Sequence, residues 1–172
     1  MLIDLSSFLH NSESYFSFEG KLNEAESDLS ERGITIVGAI EYEGETFRVD
    51  GEKAIAVRIT FKYKEPCSRC LEPSIHKMKS TLTGNLVEGK EDVDSKDESF
   101  DEKLYYENDQ LDLKDYILNQ VIASLPMKSL CDENCKGLCD LCGVDLNNNT
   151  CDCVQDEVDP RLEKLKNFFP KN

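Results

Sequence analysis

Tryptophan is absent from this 172-residue chain, histidine occurs only twice, and basic residues are in deficit. Each absence removes a class of function. The two histidines, His10 and His76, stand at no ligand spacing from a cysteine pair, so they do not build the His-containing open site that a catalytic metal uses. His76, flanked by Lys77, reads as an ordinary surface or core histidine. Lys and Arg number 20 against 35 Asp and Glu, a formal charge of −15, which argues against indiscriminate nucleic-acid binding. No apolar run approaches the ~20 residues that span a bilayer. The start, MLIDLSSFLHNSESYF, lacks a basic stretch and carries an early Asp4, so it makes a poor secretory signal. P-loop, G-x-S-x-G and H-E-x-x-H spacings are also missing. The expectation is a cytoplasmic, non-enzymatic protein with neither a membrane partner nor a small-molecule substrate.

What the chain does have is cysteine, eight in four close pairs: Cys67 with Cys70, Cys131 with Cys135, Cys139 with Cys142, and Cys151 with Cys153. In a reducing compartment, clustered thiols read as metal ligands rather than disulfides. Eight thiolates make two complete tetrahedral sets, the closed coordination of structural zinc. A four-cysteine iron–sulfur cluster is the competing cofactor. A redox role for Cys67-x-x-Cys70 would need the βαβ context of a thioredoxin-like motif, which is missing.

The loop between Cys142 and Cys151 is short enough to close one site locally, from Cys139, Cys142, Cys151 and Cys153. Gly143 would supply the left-handed turn after the second ligand. Cys67, Cys70, Cys131 and Cys135 then remain for a second site. A rival grouping joins Cys67 and Cys70 to Cys139 and Cys142. One or two structural zinc ions are expected.

The elements around these pairs follow from periodicity. In AIAVRITFKYK, Ile55, Val57, Ile59, Phe61 and Tyr63 alternate with polar residues, as in a half-buried strand. Ile34, Ile36, Ile40 and Tyr42 alternate likewise, and Asp50-Gly51 is a hairpin turn between the two runs. Met78, Leu82 and Leu86 mark a weaker strand from about residue 74, and LIDLSSFL is a candidate for a further one. Residues 88–103 are strongly acidic and read as a solvated loop. Leu113, Tyr116, Ile117, Val121 and Leu125 form a helical stripe, with Asp112 as cap and Pro126 as stop. A last short helix starts at Asp159 and Pro160. The fold class expected is α+β: a curved, barrel-like antiparallel sheet with one main packed helix. Residues 1–128 form that core, and residues 129–172 form a Cys-rich zinc module with the short C-terminal helix.

The strings CSRCLEP, LPMKSLCDENCKGLCDLCGVDLNNNTCDC and DPRLEKLK resemble the bacterial YceD family, the large ribosomal RNA subunit accumulation proteins. The likeness runs in order across most of the chain, is most specific from Cys131 to Leu165, and loosens before residue 54. It implies a role in accumulation of large-subunit ribosomal RNA, a process to which plastid relatives are tied. It also implies that the motif matched by Cys67, Arg69 and Cys70 is the most widely shared part. No molecular mechanism comes with it.

Charge is unevenly distributed. From Lys53 to Ser80, seven basic residues stand against Glu65 and Glu72. Period 2 puts Arg58, Lys62 and Lys64 on the polar strand face leading to Arg69, with Lys77 and Lys79 following on the next strand. These six residues are the candidate contacts to large-subunit ribosomal RNA or to an RNA-bound assembly protein. The alternative is a protein–protein adapter whose acidic body holds a basic ribosomal protein or assembly factor.

Overall fold

The computed structural model describes residues 1–10, 14–23, 33–49, 51–90 and 102–153. Its centre is the meander of β4 (Ile40–Val49), β5 (Glu52–Pro66) and β6 (Pro73–Glu88). Gly51, at φ 90°, lies in the turn where Val49 faces Glu52; Asp50 lies outside the described residues. The alternation expected for β5 is realised. Ile55, Val57, Ile59, Phe61 and Tyr63 are all buried on one face.

Five further strands complete the sheet: β1 (Leu2–Asp4), β2 (Tyr15–Leu22), β3 (Thr35–Ile36), β7 (Lys103–Glu107) and β8 (Gln110–Asp112). The order β1-β8-β7-β6-β5-β4-β2, with β3 also on β5, curls into a nearly closed barrel. Tyr42 reaches across it to the Met1 sulfur at 2.9 Å.

Among the described residues the sheet has 8 strands, more than periodicity marked, and it is mixed rather than antiparallel as expected, because β7 runs parallel to β6. Parallel pairing needs a long crossover, which residues 89–102 supply, so the acidic stretch connects two neighbouring strands. Its expected bounds were too wide, since Glu88 ends β6 and Lys103 begins β7; residues 91–101 lie outside the described residues. LIDLSSFL is only partly strand, as β1 gives way to a short helix α1 (Ser6–His10) whose Phe8 is buried.

Helix α2 (Lys114–Ser124) packs its stripe inward, with Leu113, Ile117 and Val121 buried. Asp112 precedes the capping position by one residue, and its Oδ1 accepts the Lys114 backbone N–H at 3.1 Å. Leu125 is already extended ahead of Pro126, as the residue before proline prefers. Gln120 donates to Ser80 Oγ at 2.8 Å and to the Thr81 carbonyl at 3.2 Å, seating the helix on β6.

Gly84 of β6 lies close against neighbouring backbone. A Cβ there would run into the Glu102 backbone carbonyl and the Leu104 side chain. Backbone cannot swing aside, so Gly84→Ala should cost about 2 kcal/mol or more in a denaturant titration. Gly44→Ala should cost less, because the atoms nearest a Cβ there belong to the movable Phe18 ring.

Candidate metal centres

The β5–β6 hairpin ends in Cys67-Ser68-Arg69-Cys70, and its turn repeats in Cys139-Asp140-Leu141-Cys142. In the first, the Leu71 N–H donates to the Cys67 carbonyl and the Cys67 N–H to the Glu72 carbonyl, both at 2.9 Å. In the second, the Gly143 N–H donates to the Cys139 carbonyl and the Cys139 N–H to the Val144 carbonyl, both at 2.8 Å. The residue after the second cysteine is left-handed in each, Leu71 at φ 63° and Gly143 at φ 71°. One backbone shape therefore aims two sulfurs at a common point twice over.

Each turn gathers a second pair. Cys67 and Cys70 meet Cys131 and Cys135, while Cys139 and Cys142 meet Cys151 and Cys153. Within each set the four sulfurs lie within 4.8 Å of one another. The rival grouping of Cys67 and Cys70 with Cys139 and Cys142 is not what assembles. Cys67 Sγ stands 3.8 Å from Cys135 Sγ, and Cys70 Sγ 3.6 Å from Cys131 Sγ. A tetrahedral ion with ~2.3 Å metal–sulfur bonds needs sulfur–sulfur edges of about 3.8 Å, so the donor set fits one such ion. All eight cysteines are free thiols. A cluster whose thiolates sit on separate irons needs a wider spread. The first set is also largely closed to water, with Cys67, Cys70 and Cys135 buried and Cys131 exposed.

The thiols of each set diverge in acidity. Burial pushes Cys67 up, but N–H groups of Cys70, Cys131 and Arg69 outweigh it and bring the thiol to about 6. Hydrogen bonding with Cys135 and Cys70 sends Cys131 the other way, to about 12. In the second set, backbone N–H groups of Cys142 and Leu141 lower Cys139 to about 6, and the Cys142 sulfur raises Cys153 to about 12. One thiolate is thus stabilised per set, while a neighbour keeps its proton until a cation displaces it.

Two residues tie the sets to the barrel and to each other. Arg69 donates from its guanidinium to the Cys135 carbonyl at 2.8 Å, and its own carbonyl accepts the Leu138 N–H at 3.1 Å. Gly137, at φ 78°, lets the chains approach there, since a Cβ would stand 3.1 Å from the Arg69 carbonyl. Asn147 was not singled out from the sequence. It belongs to the loop of the second set, yet its Nδ2 donates to Cys135 Sγ at 3.4 Å and its Oδ1 accepts the Lys136 N–H at 2.8 Å. Asp145 holds it, accepting both the Asn147 N–H and Nδ2. Asn147→Leu should weaken metal binding at the first set about tenfold in a competitive chelator titration.

The candidate contact residues divide into two groups. Register puts Lys62 directly opposite Lys77, Lys79 opposite Thr60, and Lys64 opposite Ile75, with the four lysines exposed on the outer face of β5 and β6. Arg58 shares that face but is ion-paired with Glu43 at 3.1 Å. Arg69 is exposed but bonded to Cys135 as described. Beside them β2 and β4 carry Glu19, Glu41, Glu43 and Glu45, so the outer face passes from acidic to basic across the sheet. Sequence pattern alone did not show that acidic neighbour. His76 is no ligand: it stacks on Tyr63 with centroids 5.2 Å apart and its Nε2 meets Ser74 Oγ at 2.7 Å. His10 meets Asp109 at 2.7 Å. Among the described residues no helix is long and apolar enough to cross a membrane.

Residues 55–169 match the sequence profile of the family described as "Large ribosomal RNA subunit accumulation protein YceD". The chain is similar to "Large ribosomal RNA subunit accumulation protein YCED homolog 1, chloroplastic" of Arabidopsis thaliana, 32% identical over 56% of this chain and 32% of that protein. The protein of the same name in Zea mays is 29% identical over 48% of this chain and 27% of its own length. An uncharacterized Mycobacterium tuberculosis protein is 31% identical over 58% of this chain and 47% of its own. The chain thus spans less than half the length of these relatives. No solved structure matches it.

Proposed function

Because the chain belongs to the YceD family, we propose that it supports accumulation of large-subunit ribosomal RNA as a non-enzymatic, zinc-stabilised cytoplasmic factor that contacts RNA through the basic outer face of the β5–β6 hairpin. The family's description supplies the process. One observation carries the rest: the strand register that gathers Lys62, Lys64, Lys77 and Lys79 on a single exposed face, leading to a four-cysteine knuckle. Phosphate contact needs clustered cations, and an acidic body behind them discourages binding elsewhere.

Zinc suits the donor sets by number, softness and spacing. Cys67, Cys70, Cys131 and Cys135 would hold one ion; Cys139, Cys142, Cys151 and Cys153 would hold the other. With all four positions of each ion taken by sulfur, the metal shapes the chain and leaves no site for substrate. Its bound charge would fasten the 129–153 segment to the hairpin tip.

The adapter reading draws on Glu19, Glu41, Glu43 and Glu45, an acidic strip able to hold a basic protein. Sedimentation of cell extract separates the two. RNA contact predicts that the protein travels with large-subunit precursors and is released by nuclease, and that its depletion lowers large-subunit RNA relative to small-subunit RNA. An adapter keeps its partner after RNA is digested.

A further inference from the structure

Several locally unfavourable choices coincide at one end of the β5–β6 hairpin. Leu71 holds φ 63°, a left-handed conformation that glycine takes freely and a residue with a Cβ does not. The equivalent residue of the second knuckle is Gly143, so the turn itself does not require leucine. Nor is the side chain retained for packing, since Leu71 is 65% exposed. Ile75, 62% exposed, projects from the outer face directly across from Lys64. Next along the ladder Lys62 faces Lys77, a like-charge pair that opposes folding. Glu41 on the adjoining strand faces these lysines, but Lys21 binds it at 2.7 Å.

An exposed leucine in the hairpin turn and an exposed isoleucine on the strand face that carries four lysines match a ligand that offers apolar surface and negative charge together. Duplex RNA hides its bases in the stack and presents phosphate and ribose, leaving nothing for Leu71 to cover. Unpaired nucleotides present both. We propose that this hairpin tip is a docking surface for unpaired RNA, with Leu71 and Ile75 packed on exposed bases and Lys62, Lys64, Lys77 and Lys79 on the flanking phosphates. The inference rests on the reading of the hairpin face as an RNA contact, and it names the form of RNA.

The test uses full-length protein and fluorescence anisotropy with two probes, an oligouridylate of about 15 nucleotides and an RNA duplex of similar length. Leu71→Gly keeps the turn and removes its strain, so metal content and thermal stability should be at least those of the parent; Ile75→Ser is the companion. Both should weaken single-strand binding about tenfold or more and leave duplex binding unchanged. Single-strand binding equal to the parent's in both variants overturns the proposal. If the parent binds neither probe yet travels with precursors in a nuclease-sensitive manner, the tip proposal falls while RNA contact stands. If that association resists nuclease and Leu71→Gly abolishes it, the tip holds a protein and both readings fall.

Discussion

Replacing Cys135 with serine should free residues 129–153 from the barrel while the barrel stays folded. The segment has almost no apolar core of its own. The small buried cluster it shares with the hairpin tip is Cys67, Cys70 and Cys135, with Leu130 and Leu138 packed partly against them. The barrel, by contrast, buries a continuous aliphatic and aromatic cluster from Leu5 to Val121 that includes no cysteine. Metal binding at a four-thiolate set contributes on the order of 10 kcal/mol, far more than two half-covered leucines can replace. Losing one ligand also removes the backbone ties that depend on the set, Ser68 N–H to the Ser129 carbonyl at 2.9 Å and Leu138 N–H to the Arg69 carbonyl at 3.1 Å. Hydrogen exchange should therefore show these amides at bulk-like rates while those of β5 and α2 remain protected. Chelator treatment of the parent should expose the same amides and, by emptying the second set as well, those of Cys139 and Gly143. Slow exchange throughout 129–153 in the variant would mean that packing, not metal, holds the segment.

Reversing three charges on the hairpin face, Lys62→Glu, Lys64→Glu and Lys77→Glu, should abolish association with large-subunit precursors at physiological salt. All three side chains are exposed, so the fold is spared, and the opposed Lys62 and Lys77 stop repelling each other only to repel again as glutamates. Three lost phosphate contacts make the dependence of log K on log salt shallower by about 2 for single-stranded RNA. Arg69 is left out deliberately, because its guanidinium bonds the Cys135 carbonyl and its loss would disturb the metal site as well. An unchanged affinity and salt slope would remove the lysine face from the account.

Legibility in the sequence followed the range of the interactions. The β4–β5 hairpin, the inward face of β5 and the stripe of α2 are set by residues a few positions apart, so periodicity exposed them. The second cysteine set was suggested for a similar reason, since it closes over a short loop, but spacing left the rival grouping open until the fold brought Cys131 and Cys135 to the hairpin tip. Strand β6 looked weak because Ser80 and Gly84 interrupt its inner row. Structurally they are small because Gln120 of α2 and the Glu102 carbonyl come in over them. Strand β7 and its parallel pairing depend on a crossover through residues 89–102, which no local pattern announces. The β7–β8 turn did carry a signal: Asn108 and Asp109 both take positive φ, as residues of that type do in a two-residue hairpin turn. Strand β2 alternates Phe16, Phe18, Gly20 and Leu22 toward the barrel interior, and the glycine masks the pattern by lying under the Tyr42 ring. The roles of Arg69 and Asn147 were hidden because each acts through a partner brought near only by the finished fold.

Elemental analysis of protein purified without chelator bears most directly on the two closed thiolate centres. The account predicts about two zinc ions per chain, one for each set, with no thiol reactive toward a mild alkylating reagent until the metal is removed. Metal-free protein with eight freely reactive thiols, or a single ion per chain, would contradict it.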